Sequence, residues 1–395
     1  MPRLVSPARA IQLVLLTDAQ QATESLVALN HALTPHCLEI AEHDRFFTCA
    51  LGDILFAWER HSEFMTYSFF LPGEGKPFET VAEWMADMPG EIIRSTQIAL
   101  VAEAPDDETV AAHFAFDDLI VSDVADGRAR IWSDFRLHQD GFGRLMIFDR
   151  GLEGVEAAQL VQRLQELGNY RKMALLGLPE AQAMTPRLTS LEQRLTNITT
   201  AIAAHDANAD EVLEDLSALS ADLAQTLTST RYRMSATSAY AQICLDRIRS
   251  LNVSPVRGYR SLDDFTERRL VPAMRTCDAF SCRLEDLSQR AAWTSGMLRT
   301  RIDTAIARRN RDLLASMDRR TGLQLRLQHT VEGLSVVAIS YYALGLWLHF
   351  SEALEQEGVH FPGWAEIALI PTILVIAWLG IRQLKKVKRP GRPHE

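Results

Sequence analysis

The segment Gly333–Phe350 reads GLSVVAISYYALGLWLHF and has eighteen residues without a charged side chain. A second segment, Ile367–Ile381 (IALIPTILVIAWLGI), is uncharged for fifteen residues, and the stretch FPGW at 361–364 extends it. Crossing the hydrocarbon core of a bilayer takes about 20 helical residues. We therefore predict a transmembrane helical hairpin over 333–381, with helices at 333–350 and 361–381.

The charges that flank these two segments are asymmetric. The linker Ser351–Glu366 has four glutamates and no lysine or arginine. Basic residues lie before the first segment and in the tail 382–395: Arg319, Arg320, Arg326, Arg382, Lys385, Lys386, Lys388 and Arg389. Because Lys and Arg stay on the cytoplasmic side, we expect both termini in the cytosol and these basic side chains at the membrane surface.

The distribution of charge indicates which partners the chain could bind, and the cysteine content indicates the cellular compartment. Residues 1–255 carry 20 basic and 36 acidic side chains, whereas residues 256–330 carry 15 and 9. A basic rear part fits an anionic lipid bilayer as partner, and an acidic chain without a basic-aromatic motif argues against nucleic acid. The five scattered cysteines include no CxxC pair, which indicates reduced, buried thiols in the cytosol.

Residues 1–153 alternate short apolar strands with amphipathic stretches, which predicts an α+β domain with a mixed or largely antiparallel sheet. The predicted helices are Ala19–Leu33 and Phe78–Met88. The predicted strands are Ile11–Thr17, Phe46–Leu51, Ile54–His61, Phe64–Leu71, Ile98–Ala102, Leu119–Val124, Arg128–Phe135 and Arg144–Phe148.

Residues 154–332 have helical periodicity and predict a coiled-coil stalk. A helix over Glu156–Leu176 is expected to stop at Gly177-Leu178-Pro179. An apolar seam with a 3.5-residue period then favours a coiled coil and a homo-oligomer: Leu191, Leu195, Ile198, Ile202, His205, Ala209, Val212, Leu216, Leu219 and Leu223. Asn252–Arg260 breaks the pattern, and a new helix from Ser261 has no strong stop before the first membrane segment. An antiparallel helical hairpin follows, kinked at Pro272.

Two polar segments are the best candidates for a ligand or metal site. Extended backbone would place Glu59, His61 and Glu63 on one face of one strand. A second strand would carry Asp134, Arg136, His138 and Asp140 on one face. Such carboxylate–imidazole faces could bind a divalent metal or form an acid/base site, and the alternative is solvated or mutually paired strand residues. No phosphate loop, HExxH, GxSxG or paired CxxC is present, so we assign no catalytic residue, metal or cofactor and favour a protein that is not an enzyme.

Five segments of this sequence resemble a family of uncharacterised bacterial membrane-anchored proteins, classed as a domain of unknown function. They are WERHSEF (58–64), DFRLHQDGF (134–142), NYRKMALLGLP (169–179), YRSLDDFTERRLVPAMRTC (259–277) and NRDLLASMDRRTGLQLRLQHTVEGLSVVAISYY (310–342). The resemblance implies a bacterial inner-membrane protein and supplies no activity. The architecture is also similar to CorA-type magnesium channels, although the stretch at 344–347 lacks their Gly-Met-Asn motif.

Three functional hypotheses remain open. The first is a membrane-anchored cytosolic scaffold or assembly protein that oligomerises through coiled coils and binds unidentified protein partners. The second is an oligomeric two-helix ion channel or transporter, with pore-lining candidates Ser335, Ser340, Tyr341 and Tyr342. The third is an enzyme that uses the polar segments 59–63 and 134–140.

Overall fold

The computed structural model describes residues 3–36, 38–73, 81, 85, 88–204, 209–356 and 363–387. Contacts divide the chain into two compact units, Met1–Gly296 and Met297–Glu395. The first unit has an α+β fold that begins with one nine-stranded sheet. Its strands are β1 (Ala8–Leu16), β2 (Phe46–Leu51), β3 (Ile54–Arg60), β4 (Phe64–Pro72), β5 (Glu91–Val101), β6 (Ile120–Val124), β7 (Ala129–Ser133), β8 (Gly143–Asp149) and β9 (Ser254–Pro255).

The sheet has the strand order β2-β3-β4-β1-β5-β8-β7-β6-β9. Neighbouring strands are antiparallel except β5 and β8, which run parallel from Thr96 opposite Gly143 to Val101 opposite Phe148. This single parallel pair joins the part of the sheet formed by β1 to β5 to the antiparallel β6–β8 meander. The predicted mixed sheet is therefore confirmed.

The described residues also form seven α-helices. They are α1 (Ala19–Leu33), α2 (Asp107–His113), α3 (Gly154–Leu175), α4 (Gly177–Ala203), α5 (Ala209–Ser250), α6 (Leu262–Gln356) and α7 (Gly363–Val387). Helix α1 has the predicted bounds, since Asp18 accepts a hydrogen bond from the backbone N–H of Gln21 and forms a capping box. The predicted helix Phe78–Met88 lies largely outside the described residues.

The sheet is buried on both faces because successive residues of a strand point to opposite sides. In β1, Ile11 and Leu13 pack with α1, whereas Ala10 and Val14 pack with α3 and the end of α5. A smaller cluster around Trp132 covers the β6–β8 region beside α2. Gln12 shares the α3 side of β1, where it is a polar residue in an otherwise apolar row.

Helices α3 to α6 pack as an up-down-up bundle within the first unit. Arg163 donates to the carbonyl of Ser250 and Arg194 pairs with Asp222, so α5 runs antiparallel to α3 and α4 in turn. Arg171 lies over the ring of Phe265, and Arg283 pairs with Glu192. In these two contacts, the higher residue number on α3 and α4 meets the higher residue number on α6. The first part of α6 therefore runs parallel to α3 and α4.

The predicted end of the first stalk helix is confirmed within one residue, since α3 ends at Leu175. A new helix, α4, begins directly afterwards at Gly177, because a proline is tolerated in the first turn of a helix. The bundle differs from the predicted stalk in the seam from Leu191 to Leu223, which is not one continuous helix face. The chain reverses between Ala203 and Ala209, and the leucine, isoleucine and valine residues of both halves other than Ile202 are buried inside the same bundle. His205 lies outside the described residues.

Helix α6 continues without interruption to Gln356 in the second unit, with Pro272 inside it. It is the only helix of the described residues that is long and apolar enough to cross a membrane by length and composition. Only 6% of its most apolar window is buried. In α7, a shorter apolar stretch spans Ile370–Gly380.

Candidate functional site

A cavity of about 320 Å³ lies between the β2–β4 and β1 part of the sheet and helix α3; we call it the Gln165 cavity. Its apolar lining residues include Phe46, Leu55, Phe64 and Phe70 of the sheet. Its polar lining residues come from the same side of the sheet and from one face of α3: Gln12, Glu59, His61, Ser68, Gln165 and Asn169. The volume is at the lower end of the range for small-molecule sites.

A network of amides around Arg94 supports the polar lining residues. The Arg94 guanidinium donates from Nη1 to Gln12 Oε1 at 3.2 Å and to Asn169 Oδ1 at 2.7 Å. Gln12 in turn donates to Ser68 Oγ at 3.0 Å. The guanidinium lies directly over Gly168, where a Cβ would come within 2.5 Å of Arg94 Nη2. Burial, with the nearby positive charge of Arg171, lowers the pKa of Arg94 to about 9.

Of the first predicted polar set, Glu59 and His61 reach the Gln165 cavity and Glu63 does not line it. His61 Nε2 lies 3.5 Å from Glu59 Oε2, and its ring stacks on Phe64 with centroids 4.1 Å apart. Glu63 is buried and pairs with Arg233 of α5 at 2.5 Å. The set does not form one strand face, because β3 ends at Arg60 and the chain turns into β4 at Phe64.

A second, larger cavity of about 770 Å³ adjoins the first. It is lined by the start of α1, the loop at Glu42–Arg45 and the turn at Arg60–Ser62. His61 and Tyr170 line both cavities and therefore form the partition between them. Tyr170 also stacks on Tyr240 with ring centroids 6.0 Å apart, which fixes its position.

The second predicted polar set, from Asp134 to Asp140, is a loop and not a strand. β7 ends at Ser133, and Phe135 has a φ of 50°, which breaks the alternation of an extended chain. Asp134 is buried and accepts from the backbone N–H groups of Ala115 and Arg136, and His138 lies 3.2 Å from it.

The other two members of this set are ion-paired close to the loop. Arg136 pairs with Asp118, and Asp140 pairs with Arg144 at 2.9 Å. Within the described parts of the chain, no group of three or more His, Cys, Asp or Glu side chains is placed to hold a metal ion. The contacts around Asp134 fasten the loop, and His138 does not line either cavity beside His61.

The predicted pore-lining residues of the second unit do not share one side of α6. Ser335 and Tyr342 are seven residues apart and lie on one face, while Ser340 and Tyr341 point to other sides. The hydroxyl groups of Ser335 and Ser340 each donate to a carbonyl of the preceding turn, at 2.9 and 2.8 Å. Both serines are thus satisfied within the helix, as in an apolar environment.

Of the predicted membrane-surface residues, Arg319, Arg320 and Arg326 are exposed on α6. Arg382, Lys385 and Lys386 belong to α7. Lys388 and Arg389 lie outside the described residues.

Comparison with protein families gives one match. Residues 1–387 match the family described as Protein of unknown function (DUF3422). The chain belongs to the DUF3422 family. No curated protein and no solved structure matches it. Membership covers nearly the whole chain, so the sheet, the helical bundle and the apolar helix are all parts of the DUF3422 unit.

Segments that carry the resemblance to this family meet at the candidate site. Glu59, His61 and Phe64 of WERHSEF face Asn169 and Tyr170 of NYRKMALLGLP across the Gln165 cavity of this DUF3422 protein. A second contact joins DFRLHQDGF, NYRKMALLGLP and YRSLDDFTERRLVPAMRTC. In it, the ring of Phe135 stacks on that of Phe265 with centroids 4.3 Å apart, and the Arg171 guanidinium lies over both rings.

Sequence reasoning missed Gln12, Arg94, Gln165 and Asn169. The available signal was polar residues on faces that are otherwise apolar. Gln165, Gly168 and Asn169 have i, i+3 and i+4 spacing on the buried face of α3, and Gln12 interrupts the apolar strand β1. Such residues are buried only if they are hydrogen-bonded, so they indicate an internal polar site.

Proposed function

We propose that this protein is a membrane-anchored scaffold or assembly protein with its Met1–Gly296 unit in the cytosol. The observation that carries the proposal is the apolar window of α6, of which only 6% is buried. Exposed Leu334, Val337 and Leu346 would face water in a soluble protein, and a large apolar surface marks contact with a membrane or another protein.

The proposed topology has two crossings, at 333–350 and 361–381, with both termini in the cytosol. The acidic linker 351–366 then lies outside and the basic residues on both flanks lie inside. Exposed Arg319, Arg320 and Arg326 on α6 support this placement, because they could contact anionic headgroups. The family resemblance favours the inner membrane of a bacterium.

The proposed assembly is a homo-oligomer, in which α6 packs against α6 of a second copy of the chain. Most described residues of the seam from Leu191 to Leu223 are already buried inside one molecule. Further along, one heptad position of α6 holds Ile306, Leu313, Arg320, Leu327 and Leu334, and its four apolar members are each more than half exposed. Asn310, Met317, Gln324 and Val331 follow the complementary position of the heptad. We call the two rows the α6 seam, and its apolar members recur with the heptad spacing of a coiled coil.

Membrane extraction tests the anchor. The full chain, expressed in a bacterial host, is expected in the membrane fraction, resistant to alkaline carbonate and released by detergent. The double variant Ile339→Asp/Leu374→Asp puts an acidic residue near the centre of each proposed span. It should appear in the soluble fraction, because a central acidic residue costs about 2.5–3.5 kcal/mol on insertion.

The matched control is Leu314→Asp/Leu323→Asp, which puts the same two charges at exposed positions of α6 outside both proposed spans. It should remain in the membrane fraction. Release of the unmodified chain by carbonate would contradict the anchor. Fusions of a cytosolic fluorescent reporter and a periplasmic phosphatase to the C-terminus test the orientation, and activity of the phosphatase would contradict it.

A further inference from the structure

The first observation is an unused hydrogen-bond donor in the wall of the Gln165 cavity. Gln165 is 2% exposed, and its Nε2 has no hydrogen-bond partner among the described residues. A buried N–H without an acceptor destabilises a fold, so such groups are rare in native proteins. Because this donor belongs to a residue that lines a cavity, it indicates an acceptor atom supplied by a ligand.

The second observation is that Arg94 determines which end of each neighbouring amide is left for the cavity. A guanidinium has only donors, so Gln12 and Asn169 must both present their oxygens to it. The NH₂ group of Gln12 donates to Ser68 Oγ, which leaves the Ser68 hydroxyl proton able to donate elsewhere. The NH₂ group of Asn169 is likewise left to donate. The wall around Gln165 is therefore a set of three donors.

The third observation is the charge behind these donors. Arg94 forms no ion pair with any carboxylate of the described chain, and its hydrogen-bond acceptors are two neutral amides. The two acidic residues in the cavity lining already have partners, since Glu59 pairs with His61 and Glu166 with Arg247. A positive charge without a counter-ion next to three donors favours an anion.

The apolar part of the cavity lining limits what kind of anion fits. Leu55, Phe64 and Phe70 belong to it, so a fully hydrated inorganic ion would leave apolar surface exposed in the cavity. An anion with a compact apolar body would contact the donors and the apolar side chains at once. The volume of about 320 Å³ suits a molecule smaller than a typical drug.

We propose that the Gln165 cavity binds a small organic carboxylate. Its oxygens accept from Ser68, Gln165 and Asn169 with Arg94 behind them, and its apolar body packs against Phe64 and Phe70. His61 and Tyr170, which separate this cavity from the larger one, stand at the side from which the ligand enters. This binding site is independent of the membrane anchor, so failure of either proposal leaves the other unaffected.

Isothermal titration of the purified full chain in detergent tests the site with four probes: benzoate, hexanoate, benzyl alcohol and inorganic phosphate. At least one of the two carboxylates should bind with a Kd of about 1 mM or tighter, and the neutral alcohol at least about tenfold more weakly. No heat from either carboxylate at about 10 mM, a concentration well above that Kd, would overturn the proposal. Binding of phosphate as tight as that of benzoate would overturn the role of the apolar lining residues.

The decisive variant is Gln165→Met, which keeps the side-chain shape and removes the unused donor. It should weaken carboxylate binding at least about tenfold, because a donor to a charged group is lost. The Tm of the ligand-free protein should stay the same or rise, since no hydrogen bond within the chain is broken. The control Gln193→Met makes the same change on the exposed face of α4 and should bind as the unmodified chain does. Equal binding by Gln165→Met would overturn the site and would assign the heat to uptake by the micelle.

Discussion

Gly168 and Arg94 depend on each other at the scale of single residues. Glycine in a helix interior is normally unfavourable, because the backbone loses more entropy than with alanine. Here the missing side chain leaves the space that the Arg94 guanidinium occupies. The position of that guanidinium sets the orientation of the amides of Gln12 and Asn169, so one absent methyl group determines the chemistry of the cavity wall.

Gly168→Ala is expected to lower the free energy of unfolding by about 2–5 kcal/mol. The gain in helix propensity is about 1 kcal/mol, whereas displacing Arg94 disrupts two charged hydrogen bonds of about 1.5–3 kcal/mol each. Urea unfolding followed by circular dichroism measures the difference. Gly296→Ala, at a helical position where a Cβ meets nothing within 4 Å, should be neutral or stabilising. The same result at both positions would contradict the packing argument.

Asp123 gives a pH-dependent contribution to stability. Its hydrogen bonds with Arg130, together with the charges of Arg130 and Arg150, hold the pKa of its carboxyl below the usual range. A depressed pKa means that the stabilisation is present above the unfolded-state value, near about 3.9, and disappears as pH falls through the folded-state value.

Asp123→Asn should therefore destabilise the protein at pH 7 and have progressively less effect below about pH 4. Unfolding curves at pH 7 and at acid pH, with exposed Asp53→Asn as the control, measure the effect. A difference that stays constant across this range would contradict the ion-pair explanation.

At the scale of elements, the sequence was most informative where apolar alternation was local. The bounds of α1 and β2 are as predicted, and β3 and β4 differ by one residue at one end. β5 begins at Glu91, well before the predicted Ile98, because Glu91, Arg94 and Gln97 interrupt the apolar pattern and pairing with β1 keeps them extended. β9 was missed because two residues carry no periodicity.

The cavity was half predicted: Glu59 and His61 came from a local polar run, whereas Arg94 and Asn169 meet only through tertiary packing.

The junction between helices α3 and α4 packs closely against α5, with Gly177 next to Thr237 of α5. A Cβ at this position would lie 2.2 Å from Thr237 Oγ1. Gly177→Ala should therefore destabilise the bundle by about 1–3 kcal/mol through overpacking. Thr237→Ala alone should be nearly neutral, because Thr237 Oγ1 is buried without a partner among the described residues.

The double variant Gly177→Ala/Thr237→Ala should recover part of the loss. Thermal unfolding of the four proteins forms a double-mutant cycle, and a coupling of at least about 0.5 kcal/mol is expected between residues in contact. Strict additivity would contradict the close helix approach.

At the scale of the whole molecule, the two units differ in how their apolar residues are used. The first unit buries them in the sheet, the bundle and the seam from Leu191 to Leu223. The second exposes them along α6 and α7. A large exposed apolar surface such as that of the second unit is typical of contact with a membrane or another protein, which is why the proposed anchor and self-association are placed there.

Leu313→Glu/Leu327→Glu tests the second copy, because it places like charges at one heptad position of the α6 seam. The unmodified chain in detergent should have an oligomeric mass by light scattering, and the variant should have the mass of one chain. Leu325→Glu, exposed on the same helix outside the seam, should behave as the unmodified chain. A monomeric unmodified chain would contradict self-association.

The space over Gly168 also constrains how the sequence can diverge. Any side chain at 168 collides with the guanidinium at 94, and any shorter residue at 94 leaves the amides at 12 and 169 without their shared donor. We therefore expect substitutions at these four positions to occur together. Among descendants of a common ancestor, the loss of Arg94 should be the event that permits a larger residue at 168, and positions 12 and 169 should change in the same lineages.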